Sequence, residues 1–259
     1  MTKAMKSFWK YRFLMRELVI KGIRLKYRKS YLGIIWSLIE PLMTTFVLVL
    51  VFGTLFNKFK DPTFAVYIMC GRLLYSFFSS ATKGSCKEIR KQASMIKKVY
   101  VPKYLYPLSN VVFNFVIFLI SLVVLIPVMI YSQQMPTWMI WQVFPALIEL
   151  FALSLGLGFI LAVLDVYFRD TEYLWNVVCM VIMYMSAIFY PVERLAKSGH
   201  AWILKYNPLY CIIDQMRGGM LGYQVSLWEY LYPAAVAVVV LAIGIIVFKK
   251  KQDNFILYI

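Results

Sequence analysis

The sequence predicts an all-α integral membrane protein that crosses the bilayer six times. Three observations predict it. First, 62% of the 259 residues are hydrophobic and the mean hydropathy is +0.71, which is too apolar for a soluble domain of this length. Second, apolar runs lie at about 34–56, 64–82, 107–131, 140–166, 173–190 and 228–248, each close to the ~20 residues that span hydrocarbon. Third, the basic residues alternate between the connecting segments. Ten Lys and Arg precede Ile34, seven lie in 83–103 and three follow Val247; 57–63 holds two, 132–139 none and 191–226 four. The positive-inside rule then places both termini in the cytoplasm. The whole chain, 1–259, reads as a single transmembrane domain.

The net charge of +16 clusters at membrane edges. Anionic lipid accounts for it there, so membrane lipid rather than nucleic acid is the expected partner. The four cysteines (Cys70, Cys86, Cys179, Cys211) have no paired spacing, and one histidine (His200) builds no metal cluster. No phosphate-binding loop, H-E-x-x-H motif or serine–histidine constellation occurs, which disfavours an enzyme and nucleotide hydrolysis by this chain.

In chain order, residues 6–29 form an amphipathic interface helix. Phe8, Tyr11, Met15, Leu18, Val19 and Ile23 fall on one face, and Lys10, Lys21, Arg24 and Arg28 on the other. Span one carries Glu40–Pro41. A carboxylate within a span is costly unless it faces protein or water, and Pro41 frees a backbone carbonyl that a neighbour must satisfy. Ser37, Glu40 and Thr44 share one helical face. Span two carries Arg72, and span four carries Glu149 at similar depth, so the two are expected to form an intramembrane ion pair. Loop 83–106 carries the apolar stripe Cys86, Ile89, Ala93, Ile96, which suits lipid or a partner's groove. Span three lacks charge and reads as mostly lipid-facing. Span four ends in Gly156, Gly158 and Asp165, and its glycines permit close helix approach. Span five turns Asn176, Cys179, Met183, Ser186 and Tyr190 to one side. The apolar runs in 191–226 are too short to cross and read as interfacial or re-entrant helices.

Four stretches then carry a resemblance: YRKSYLGIIWSLIEPL (27–42), IKKVYVPKYLYPLSN (96–110), YFRDTEYLWN (167–176) and NPLYCIIDQMRGGMLG (207–222). In this order and over nearly the full length, the chain resembles the membrane (permease) subunit of ABC exporters that move lipid-linked polysaccharides: O-antigen, capsule or teichoic acid. Arg72 departs from the mostly apolar second span expected there, and Asp165-Val-Tyr precedes the Arg169–Asp170 pair.

The resemblance implies a homodimer in the bacterial cytoplasmic (inner) membrane, paired with two copies of an ATPase subunit. ATP and Mg would bind in that partner, leaving this chain without cofactor. It implies a coupling helix at 86–98, with ATPase contacts at Ile89, Arg90, Lys91, Ala93, Ile96, Arg169 and Asp170. It further implies re-entrant helices at 192–222 and a substrate channel lined by spans one and five at the dimer axis. The expected lining is Trp36, Ser37, Glu40, Thr44, Asn176, Met183, Tyr184, Ser186, Phe189 and Tyr190. The aromatic members (Trp36, Tyr184, Phe189, Tyr190) suit sugar rings, and Arg28 with Lys29 suits a lipid pyrophosphate headgroup. Two other readings remain open on composition and topology: an ion-gradient carrier relaying through Arg72, Glu149 and Asp165, and an intramembrane lipid-glycan transferase with Glu40 as base.

Overall fold

A computed structural model describes residues 3–28, 30–58, 61–98, 101–134, 137–192, 199 and 201–258. Every regular element among them is helical. The helices are α1 (Lys3–Lys26), α2 (Trp36–Leu55), α3 (Thr63–Lys91), α4 (Ala93–Lys98), α5 (Leu105–Leu122), α6 (Leu125–Tyr131), α7 (Val143–Tyr167), α8 (Thr171–Met185), α9 (Ala201–Lys205), α10 (Pro208–Leu221), α11 (Leu227–Lys251) and α12 (Phe255–Tyr258). Five segments among the described residues are long and apolar enough to cross a membrane: Gly33–Leu55, Thr63–Lys91, Leu105–Tyr131, Trp138–Tyr167 and Leu227–Tyr258. This is a multi-pass membrane protein.

The expected crossing at 173–190 is not one long helix. α8 has 15 residues, or about 22 Å at the helical rise, against about 30 Å of hydrocarbon. It stops because Ala187 takes a left-handed conformation (φ 44°) and the carbonyls around it are captured. Ala187 O accepts from the Tyr67 hydroxyl (3.0 Å) and from Arg217 Nη2 (2.9 Å), and Met185 O accepts from Asn207 Nδ2 (3.2 Å).

The second expected span, 64–82, instead runs on to Lys91. Nothing between Lys83 and Lys91 breaks a helix, and Cys86 and Ile89 stay buried in the bundle, so packing carries the helix onward. α3 is the central element, packed against α2, α5, α7, α8 and α10. The third span also has a packed face: Asn114, Ile117, Phe118 and Ser121 of α5 are buried, so it is not mostly lipid-facing.

Two in-helix prolines show how the bundle satisfies its backbone. Pro41 leaves Ser37 O without its helical donor, and Ser121 Oγ of α5 donates to it at 2.9 Å. Pro233 leaves Glu229 O without one, and Gln215 Nε2 of α10 donates to it at 2.6 Å. α7 and α11 meet at Gly156 and Gly244. A Cβ built on Gly156 would lie 2.6 Å from Leu241 N, so backbone rests on backbone there. α10 starts at the Asn207 cap, whose side chain accepts from Leu209 N and Tyr210 N, and ends at Gly222 (φ 77°). α11 opens with a capping box of Ser226 and Glu229.

Candidate functional site

Polar groups converge at three places. The first is a cavity of ≈ 80 Å³ between the end of α1 and helices α2, α3 and α5, roomy enough for several waters. Trp36, Ser37, Glu40 and Thr44 of α2 line it, opposite Arg72, Ser76 and Ser80 of α3 and beside Asn114 and Ser121 of α5. The helical repeat explains the convergence: 37/40/44, 72/76/80 and 114/121 each fall on one face. Ser37 is buried, while Glu40 and Trp36 stand at the open side.

The α8 half of the expected lining is not in that cavity. Asn176 and Tyr184 are exposed, Met183 is half-buried, and Ser186 and Phe189 are buried. Phe189 stacks on Phe52 of α2 (5.4 Å between centroids), Tyr184 meets it edge-on (6.5 Å), and the Tyr190 hydroxyl donates to Tyr184 O. Of these residues, Phe189 reaches α2 through Phe52, and Tyr184 and Tyr190 fold back on the 184–190 segment itself. Arg28 is exposed and shares a shallow groove with Glu17, Lys21 and Arg24. Lys29 lies outside the described residues.

The expected Arg72–Glu149 ion pair is not formed. Arg72 turns toward α2 and α5, whereas Glu149 of α7 turns toward α10 and accepts from Gln215 Nε2 at 2.9 Å. Equal depth set the expectation, but azimuth around α3 and α7 decides the partner.

The second place is the end of the bundle where α3 reaches Lys91. Arg90 holds Asp165 of α7 through two bonds (3.0 and 3.1 Å) and Glu172 of α8 through a third (2.9 Å), and Lys87 adds a bond to Glu172 (3.1 Å). Asp165 is fully buried. Arg90, one of the expected ATPase contacts, is thus engaged within the chain while its side chain stays 34% exposed. Of the apolar stripe, Ile89 and Ile96 are buried and packed into the core, and Ala93 is half-buried. The region is not one helix over 86–98, because the chain breaks at Gln92 between α3 and α4. Lys91, Lys97, Lys98, Arg169 and Asp170 are exposed.

The third place is the opposite end, which sequence reasoning largely missed. α10 is buried over most of its length and carries the fully buried Arg217. Its guanidinium lies 3.4 Å from the centre of the Tyr67 ring, and Nε and Nη2 donate to Tyr67 O (3.2 Å) and Ala187 O (2.9 Å). Beside it, a cavity of ≈ 330 Å³ is lined by Asp61, Tyr67, Tyr210, Asp214 and Tyr223 among others. Burial pushes the Asp214 carboxyl above the usual carboxylate range, against the pull of Arg217. The available signal was an arginine closing the mostly polar run Asp214-Gln215-Met216-Arg217 directly before Gly218-Gly219.

A bundle with five helices long and apolar enough to cross a membrane among the described residues, a buried α10 at one end and basic helix ends at the other invites comparison with known transport proteins. The sequence profile of the ABC-2 type transporter membrane family matches residues 14–221. The chain belongs to this family. Members that it resembles over most of their length include the O-antigen export system permease protein RfbA of Myxococcus xanthus, 27% identical over 98% of this chain and 98% of that protein. The polysialic acid transport protein KpsM of Escherichia coli is 22% identical over 91% and 92%. The capsule polysaccharide export inner-membrane protein CtrC of Neisseria meningitidis serogroup B is 23% identical over 86% of each.

Proposed function

We propose that this chain is the permease subunit of an ATP-driven exporter that moves a lipid-linked polysaccharide, such as O-antigen, capsule or teichoic acid, across the bacterial inner membrane. The observation that carries this reading is the near-full-length match to relatives named as O-antigen and capsule export permeases. In this reading α8 with residues 186–190 makes the sixth crossing, both termini are cytoplasmic, and 201–221 closes the outer end. Two copies form the conduit, and each engages one copy of an ATPase that holds ATP and Mg. α2 and α8 both present exposed apolar side chains, among them Phe46, Val47, Leu50, Val177, Val181 and Tyr184. A second copy or lipid must cover these faces.

The geometry gives the chain definite tasks. Lys91, Lys97, Lys98, Arg169 and Asp170 are the side chains free to meet the ATPase. Arg90, Asp165 and Glu172 join the last turn of α3 to α7 and α8, so a push on α3 or α4 moves the α7–α8 corner with it. The Ser37–Glu40–Thr44 stripe and Trp36 supply hydroxyl, carboxylate and ring surfaces to a polar, ring-faced cargo. The carrier reading lacks a connected relay, because Asp165 is held by Arg90 and Glu149 by Gln215, both away from Arg72.

The test is co-purification of the tagged chain from its native membrane. A nucleotide-binding subunit should co-elute, and its ATP hydrolysis should change when Lys97 and Lys98 are both reversed to Glu. A chain that never holds a nucleotide-binding subunit contradicts the reading.

A further inference from the structure

We propose that the cavity between α1, α2, α3 and α5 is a binding site for the anionic phosphate headgroup of an amphiphile, with Arg72 as its anchor. Arg72 lies within a membrane span, lines the cavity, and has no ion-pair or hydrogen-bond partner among the described residues. Glu40 is the carboxylate in the cavity, and it sits within electrostatic reach of Lys26. Two cations, Lys26 and Arg72, therefore face one carboxylate, and the lining keeps a formal charge of +1. An uncompensated charge in a span costs several kcal/mol unless water or a counter-ion meets it.

Several hydroxyls of the lining, Ser37, Thr44 and Ser121, already donate to backbone carbonyls, which leaves Tyr27, Ser76 and Ser80 as the hydroxyls to consider. The Tyr27 hydroxyl is buried beside Ser37, and Ser76 and Ser80 stand one and two turns along α3 from Arg72. A guanidinium flanked by hydroxyl donors matches phosphate oxygens. The cavity opens beside Trp36, Glu40, Ser76 and Ser80, all exposed, and the exposed apolar side chains of Met43, Phe46 and Val47 continue along α2. A headgroup at Arg72 could therefore leave its hydrocarbon tail on that face, which a free inorganic anion could not use.

The same chemistry has two sources, a resident membrane phospholipid or the lipid end of the cargo. Only the second rests on the exporter reading. The test uses the full chain with its ATPase partner, without ATP, in phosphatidylcholine nanodiscs doped with phosphatidylglycerol. Native mass spectrometry reads retained phosphatidylglycerol per protomer. Retention should fall about tenfold in Arg72→Gln and be largely kept in Arg72→Lys, as a charge-assisted bond predicts. A polyprenyl monophosphate is then added as competitor. Displacement of phosphatidylglycerol in the wild type assigns the site to a cargo-type lipid, and persistence assigns it to a resident phospholipid. Equal retention in wild type and Arg72→Gln overturns the proposal whatever transport shows. If Arg72→Gln fails to assemble, Tyr27→Phe with Ser76→Ala replaces it, and unchanged retention there is also contrary.

Discussion

Removing Arg90 should be among the most damaging single changes at its end of the bundle, for a reason internal to the protein. Asp165 is fully buried and takes two bonds from Arg90, whose side chain is 34% exposed. Truncating one partner of a buried pair typically costs about 3–5 kcal/mol, because the remaining charge is left without compensation. Water reaching the Arg90 side relieves part of this, and the Glu172 contact, 29% exposed, adds only about 0.5 kcal/mol of surface-grade pairing. Arg90→Met should therefore cost about 2–4 kcal/mol. Asp165→Leu should cost less, because Arg90 keeps Glu172 and solvent. The double variant Arg90→Met/Asp165→Leu should recover much of the loss, since no buried charge remains. The assay is a double-mutant cycle on denaturant-induced unfolding in mixed micelles. A coupling near zero, or an Arg90→Met cost no larger than that of the exposed Asp170→Ala, would refute the reasoning.

Other consequences follow from named contacts. Gly156→Leu should abolish the stable fold, because the side chain must enter the backbone of α11; fluorescence size-exclusion of a tagged chain reads it. Ser121→Ala should cost about 1 kcal/mol in the native chain. In a Pro41→Ala background its cost should shrink toward zero, because residue 41 then donates to Ser37 O itself. Arg217→Leu removes two hydrogen bonds and the contact with the Tyr67 ring from a fully buried site, while Ala187 O keeps the Tyr67 hydroxyl, and should cost about 2 kcal/mol, with Arg217→Lys failing to restore the stacked, forked geometry; unfolding midpoints check both.

Much of the architecture was legible because membrane helices announce themselves by length and charge flank. Glu40–Pro41 marked α2, and the demand that Pro41 places on a neighbour was visible before Ser121 was known to meet it. The polar face 37/40/44 followed from helical spacing alone. Pairing was less legible. Arg72 and Glu149 share a depth, yet depth says nothing about which way a side chain turns around its helix. The Ile89/Ile96 stripe suits lipid or a partner's groove by its spacing, because periodicity marks a buried face without naming what buries it; in the structure the bundle covers both isoleucines. α8 ended early through the backbone at Ala187, a residue type that gives no warning of a left-handed turn. Arg217 was hidden because its partners are carbonyls and a tyrosine ring, which leave no charge pattern in the sequence.

The central claim is that this chain is the membrane half of a machine driven by a separate ATPase. It is tested most directly by reconstituting the chain with and without that subunit in sealed vesicles and following the transbilayer movement of a lipid-linked glycan. The account predicts movement only when both subunits and hydrolysable ATP are present. Movement by this chain alone, sustained by an ion gradient without nucleotide, would contradict it.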